Sequence, residues 1–204
     1  MNADERRREI LTAATNIFAQ SNYRAARVAA IAEAAGVSEA LLYKHFPSKK
    51  ALFCEILQRV GLRIVEIWEK TVADETDALE ALRRAGEVYV DNLRNHHAEA
   101  ALQFQALAET ADPDIAAVLR MNHLRYITFF EKLVKRGQHQ GVIRADVDPH
   151  VAANILNGTG LTFTLVQRLD LDGPDASPAP MIAAELDWLS QPAQPSETKE
   201  EASS

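Results

Sequence analysis

The sequence predicts an all-α protein, with an N-terminal helix-turn-helix three-helix domain followed by a larger helical body. Three observations carry the fold class. Ala, Leu, Glu, Arg and Gln are abundant among the 204 residues, and these are the residues a helix tolerates best. Large apolar residues recur three and four apart, the spacing of one helix face, and no stretch sustains the period-two alternation of a strand. Gly, Pro, Ser and Asp punctuate the chain where helix ends are expected.

Each element follows from those signals. Ile10, Ala13, Ala14, Ile17 and Phe18 predict a first helix over Ala3–Gln20. Ser21-Asn22-Tyr23 breaks it, with Asn22 expected as a left-handed cap. Val28, Ile31, Ala32 and Ala35 mark a short second helix stopped by Gly36, and Ser38 fits as N-cap of a third, Glu39 to Phe46. Pro47 cannot continue that helix, and Ser48 caps the next. In this fourth helix Phe53, Ile56, Leu57, Val60, Ile64, Ile67 and Trp68 trace one stripe to about Val72. Asp74–Asp77 is a charged connection. Ala78–Asn95 follows with Leu82, Ala85, Tyr89 and Leu93 inward, then a shorter helix near Ala98–Ala108 with Phe104 and Leu107 inward. Asp112-Pro113 opens a long helix faced by Ile115, Leu119, Asn122, Tyr126, Phe129, Phe130 and Leu133, and Gly137 and Gly141 are expected to end it. Asp148-Pro149 starts a further helix to about Leu171, Asp172–Pro180 is a connector, and Met181–Leu189 is a last short helix. Gln191–Ser204 holds no large apolar residue and is expected to be a disordered tail. The chain thus divides at 1–47, 48–190 and 191–204.

Composition narrows the function classes. One cysteine, Cys54, excludes an internal disulfide and a cysteine-based zinc cluster. No run approaches the ~18 apolar residues of a membrane span, and the first residues carry no apolar signal core. A cytoplasmic location without membrane contact is the expectation. The net charge of −7 argues against a polyanion partner for the whole chain, but the charge is divided. Residues 1–53 carry eight basic and five acidic side chains, a net +3, and the remainder carries −10. A basic head on an acidic body points to nucleic acid at the head.

The 28–46 segment has the chemistry of a groove reader. Ala29, Ala30, Ala32, Ala34 and Ala35 let a short helix approach another backbone closely, and Gly36-Val37-Ser38 makes a tight turn. The next helix buries Leu42 and Phe46 and offers Glu39, Ala40, Tyr43, Lys44 and His45 outward. Small Ala40 lets the helix come near base edges, Lys44 supplies charge, and Tyr43 and His45 can donate to phosphate oxygens. Ser48-Lys49-Lys50 begins the following helix, whose free N–H groups favour an anion. Arg6-Arg7-Arg8 reads as a solvated basic face, with phosphate contact as the alternative.

These residues carry a resemblance. Ile31 to Phe53, with the string Leu42-Tyr43-x-His45-Phe46-x-Ser48-Lys49 at its centre and Ile10-Leu11-x-Ala13-Ala14-x-x-Ile17-Phe18 upstream, resembles the DNA-binding domain of the TetR family of transcriptional regulators. The match covers about residues 6–57. The resemblance implies a homodimeric repressor that binds a palindromic double-stranded DNA operator and is released by a small-molecule effector. It implies phosphate contacts by Tyr43, His45 and Lys49 and base-facing positions at Glu39, Ala40 and Lys44, with Ser38 capping the reading helix. Arg27 stands where the family often has a capping Thr or Ser, and can reach a phosphate instead. Glu39 either accepts from a cytosine amino group or caps the helix. The resemblance also places the dimer interface on 149–171 and 181–189, where Gly158, Thr159 and Gly160 offer a flat surface and Leu161, Phe163 and Leu165 offer apolar area.

Enzyme signatures are missing. No Gly-rich phosphate loop, Gly-x-Ser-x-Gly or His-Glu-x-x-His is present. His96 and His97 project about 100° apart on a helix, so one ion is hard to share. No metal and no cofactor are expected. A helical-bundle enzyme or an adaptor without DNA binding is the alternative, and binding to a promoter fragment separates it from a regulator. In the body, Trp68, Tyr89, Phe104, Met121, Tyr126, Phe129 and Phe130 lie on inward or near-inward faces and suit a mostly apolar effector. The ligand set expected from this stripe is Trp68, Tyr89, Phe104, Asn122, Tyr126 and Phe130. Asn122 is an amide on an apolar face, and it serves either a buried partner or a ligand.

Overall fold

In a computed structural model the described residues are 2–171, 177 and 179–190, and they form nine helices and no strand. The expected tail, 191–204, and most of the 172–180 connector lie outside the described residues.

The head is built from α1 (Ala3–Gln20), α2 (Val28–Ala34), α3 (Glu39–His45) and the start of α4 (Lys49–Thr71). The side chain of Asn2 accepts from the Glu5 amide and the Glu5 carboxylate accepts from the Asn2 amide, a reciprocal cap that starts α1. Ile10, Ala14, Phe18, Ile31, Leu42, Phe46, Leu52 and Phe53 meet in a closed core. Phe53 stacks edge-on to Phe18 at 5.1 Å and lies 4.6 Å from Tyr23. Gly36, at φ +63°, ends α2 as expected, and the amides of Gly36 and Val37 return to the Glu33 and Ala32 carbonyls. Asn22 is not left-handed. Its side-chain oxygen instead accepts from the Ala25 amide at 2.8 Å, so the side chain makes the turn that the backbone was expected to make.

The body comprises the rest of α4 with α5 (Ala78–Asn95), α6 (His97–Leu107), α7 (Pro113–Gln140), α8 (Pro149–Arg168) and α9 (Ala179–Ser190). Trp68 anchors its core, with its Nε1 donating to the Ala85 carbonyl at 3.1 Å. Phe130, Phe129, Tyr126 and Tyr89 surround the indole at 4.9, 5.1, 5.4 and 5.9 Å.

Four expectations need correction. Gly141, at φ +74°, ends α7, whereas Gly137 lies inside the helix against Ile143, where a Cβ would meet that side chain at 2.5 Å. Leu107 and Met121 are exposed, since each falls just off its helix's inward stripe. Phe163 is buried with Val90 and Leu93, so it adds nothing to an outer surface. Thr159 and Gly160 also turn inward, toward Glu185 and Tyr89 respectively.

The head is tied to the body by side chains rather than by α4 alone. Gln105 on α6 donates to the Phe18 carbonyl of α1 at 2.9 Å. Arg24 forks onto Glu109, and Lys50 pairs with Asp112 and Asp114 at the start of α7.

Candidate DNA-binding face and ligand cavity

The outer side of α3 is open. Leu42 and Phe46 are buried, which turns Glu39, Ala40, Tyr43 and Lys44 to the surface, and His45 is half-buried at the last turn. Ser38 caps α3 by accepting from the Leu41 amide at 3.2 Å. That role is therefore filled without Glu39, which stays exposed in the first turn. Arg27 holds the N-cap position of α2 without a side-chain cap bond and is exposed. Ser48 caps α4 through the Ala51 amide.

Two basic residues differ from their sequence reading. Arg7 is not a solvated charge. It bonds to the Glu55 carboxylate, donates to the His45 carbonyl at 2.7 Å and covers the Phe46 ring at 4.2 Å. It thus clamps the end of the reading helix onto α1 and α4. Lys49 donates to the Arg24 and Ala26 carbonyls, both at 3.1 Å, and sits 5.0 Å over the Tyr23 ring. An ammonium has three donors, and Lys49 holds the α1–α2 connection with two of them.

These placements predict a split between two lysines. Lys44→Ala removes an exposed charge and is expected to leave the melting temperature unchanged while lowering the salt slope of DNA binding by about one per protomer. Lys49→Ala orphans two carbonyls and is expected to lower the melting temperature as well, by about 2–4 °C per kcal/mol lost. Thermal melts and salt titrations of the two variants check both expectations. A melting loss in Lys44→Ala alone reverses the assignment.

A second concave site lies in the body. A cavity of about 190 Å³ is lined by α4 to α9, and Trp68, Tyr89, Phe104, Asn122, Tyr126 and Phe130 all contribute to it. Four inward helical stripes converge there, which is why a reading of single helices gathers these side chains together. The wall is apolar, with a few polar groups. The Tyr89 hydroxyl lies 3.3 Å from that of Thr164, and burial pushes the Tyr89 phenol up from its ordinary range. The Tyr126 hydroxyl is buried near Gln103, and burial raises its phenol too. Asn122 is occupied on both sides. Its Nδ2 donates to the Leu57 carbonyl of α4, and its Oδ1 accepts from Arg125, each at 2.9 Å. Gly61 makes this approach possible, since a Cβ there would stand 2.2 Å from the amide.

Sequence reasoning missed Glu185. It lines the cavity, bonds to the Thr159 hydroxyl and is pushed up to about 7, chiefly by burial. The signal was present in the last helix. Ile182, Glu185 and Leu189 are spaced three and four apart, so the carboxylate shares the inward face with two buried residues. Among the described residues no helix is long and apolar enough to cross a membrane, and no cluster of His, Cys, Asp or Glu is arranged to hold a metal.

A family described as bacterial regulatory proteins, tetR family, matches residues 10–56, and one described as tetracyclin repressor-like, C-terminal domain, matches 75–162. The chain is similar to the HTH-type transcriptional regulator UidR of Escherichia coli, 27% identical over 174 residues, 83% of this chain and 84% of that protein. It is 35% identical over 118 residues to the HTH-type transcriptional activator FasR of Mycolicibacterium smegmatis, a match that spans 58% of this chain and about half, 53%, of FasR. A regulator from Saccharomonospora viridis solved with choline superposes with a TM-score of 0.77 at 26% identity, over 91% of this chain and 95% of that one. FadR from Bacillus subtilis, solved with stearoyl-CoA, shares the fold at a TM-score of 0.78 and 19% identity, over 90% of this chain and 97% of its own. With the open face of α3 on a buried three-helix core and a cavity behind it, the chain belongs to the TetR family of bacterial regulatory proteins and is a DNA-binding transcriptional regulator.

Proposed function

We propose that the chain is a homodimeric repressor that binds a palindromic operator through two copies of α3 and is released when a small molecule fills the body cavity. One observation carries this reading. Helix α6 serves both sites: Gln103 and Phe104 line the cavity, and Gln105 grips the carbonyl of Phe18 in the head. A ligand that displaces α6 therefore pulls on α1, and through it on the core that seats the reading helix. By linkage, operator binding weakens the ligand by the same factor.

In this reading Tyr43, His45, Lys49 and Arg27 hold phosphates, and Lys44 faces the bases. Ala40 gives clearance at the base edges beside Glu39, and Ser38 fixes the helix that carries them. Residues 1–47 form the reading domain, and 48–190 form the sensing and dimerising domain. The dimer is supported by α8. Val151, Ile155, Leu165 and Leu169 are exposed along it, and at Gly158 a Cβ would meet open space. Their spacing keeps one apolar face turned away from the body. The two ligand-bound neighbours hold chemically different molecules, so the fold alone does not choose an effector.

Selection of bound DNA from a random pool tests the core of the proposal. The expected product is an inverted repeat with half-sites about 34–36 Å apart, one turn of the duplex. A single unrepeated half-site in the selected pool rejects the dimeric reader. Derepression of a reporter on deletion of the chain tests the sign, and loss of expression on deletion makes the chain an activator instead.

A further inference from the structure

The charges that reach the cavity are unbalanced. Its described wall carries two carboxylates, Glu99 and Glu185, and no Lys or Arg. Glu99 is already paired, since Arg63 forks onto it from α4. Glu185 is not. It is largely buried, and among the described residues its one polar partner is the Thr159 hydroxyl of α8. From α5 the titratable group nearby in the wall is Tyr89, which is turned to Thr164, and the remaining titratable side chains of the wall are His96 on the α5–α6 connection and His123 on α7. A carboxyl so placed lacks the counter-charge that buried acids ordinarily have. The same wall carries Trp68, Tyr89 and Tyr126, whose ring faces attract cations when water is excluded.

We propose that the cavity takes an organic cation, with an amine or quaternary ammonium head seated against the Glu185 carboxylate and an apolar body lying along the aromatic wall. The proposal rests on the reading of this cavity as the effector site and names the effector's class. The cation supplies the charge that the wall lacks. A carboxylate or phosphate ligand meets a like charge in a desolvated space, with no basic side chain on the described wall to receive it. A neutral apolar ligand fills the volume but leaves Glu185 as it was.

The test titrates the full-length protein by calorimetry with three probes of one size class: benzyltrimethylammonium, its uncharged carbon isostere neopentylbenzene, and anionic 4-phenylbutyrate. The cation is expected to bind tightest. Glu185→Gln is expected to weaken it roughly ten- to hundredfold, the loss of one charged contact, while leaving the isostere unaffected. In the parent chain the cation is expected to bind about tenfold tighter at pH 8 than at pH 6. Only the ionised carboxylate offers the charge, and its midpoint, near 7, lies between those values. That dependence is expected to shrink in Glu185→Gln, and the comparison of cation with isostere in the parent tests the proposal even if the variant fails to fold. An isostere that binds as tightly as the cation, or a cation affinity that Glu185→Gln does not change, overturns the proposal and leaves the effector cavity standing. If none of the three probes binds, the cavity reading falls and the proposal with it.

Discussion

Gly61→Ala is expected to lower the melting temperature by roughly 5–10 °C, the equivalent of about 2–3 kcal/mol of overpacking. In an ordinary helix this change stabilises by about 1 kcal/mol, because alanine is the better helix former. Here the new Cβ would stand 2.2 Å from the Asn122 amide. That amide cannot step aside cheaply. It is buried, its Nδ2 is bonded to the Leu57 carbonyl, and its Oδ1 is held by Arg125. The clash therefore forces α4 and α7 apart or breaks two hydrogen bonds. A double variant separates the two outcomes. Asn122→Ala alone is expected to destabilise by about 1–3 kcal/mol, since the Leu57 carbonyl loses a buried donor. Gly61→Ala combined with Asn122→Ala is expected to lose less than the sum, by at least about 1 kcal/mol, because the new methyl occupies space the amide has left. Strict additivity of the two losses rejects the close approach. Because α4 carries the head, operator affinity of Gly61→Ala reports whether this contact also sets the position of α3.

The same pair shows where the sequence was readable and where it was not. Asn122 stood out as an amide on an apolar face, and both of its roles were open. The choice depended on Gly61 and Leu57, which are remote in sequence and carry no local mark of that contact. The head was legible almost residue by residue because its signals are local. Ser38 and Ser48 cap within three residues, and Gly36 takes a positive φ where α2 stops. Arg7 was misread for the opposite reason. Its neighbours Arg6 and Arg8 made it look like part of a charged face, while its partners, Glu55 and the His45 carbonyl, are brought to it only by folding. Gly137 and Gly141 look alike in sequence, and only packing against Ile143 tells the interior glycine from the cap. The six expected cavity residues converged because each lay on its own helix's inward stripe. Glu185 was passed over because a carboxylate in a short terminal helix ordinarily faces water.

Leu165→Glu is expected to convert the protein to a folded monomer and to weaken operator binding by about a hundredfold or more. Leu165 is 45% exposed on α8, so the substitution disturbs no packed core and leaves the subunit's own melting behaviour intact. In the proposed dimer its effect arises at the contact between subunits. Val151, Ile155, Gly158, Leu165 and Leu169 recur at three, four and seven residues along one side of α8, and the residue between, Thr162, is small and exposed. Such a stripe suits a second helix laid along it. A two-fold interface presents every substitution twice, so one change introduces two carboxylates and removes two leucines from the contact. At about 2 kcal/mol for each buried leucine, with desolvation of the carboxylates added, a dimer of ordinary strength does not survive. A monomer then engages one half-site with one α3 and loses the second set of contacts. Ile155→Glu is expected to act in the same way, and Gly158→Leu more mildly, by holding the helices apart. Sedimentation of the variants at micromolar concentration, beside operator titrations at the same salt, measures both effects. A stable dimer in Leu165→Glu and Ile155→Glu moves the interface off α8, and monomers that bind the operator as tightly as the parent remove the need for two heads.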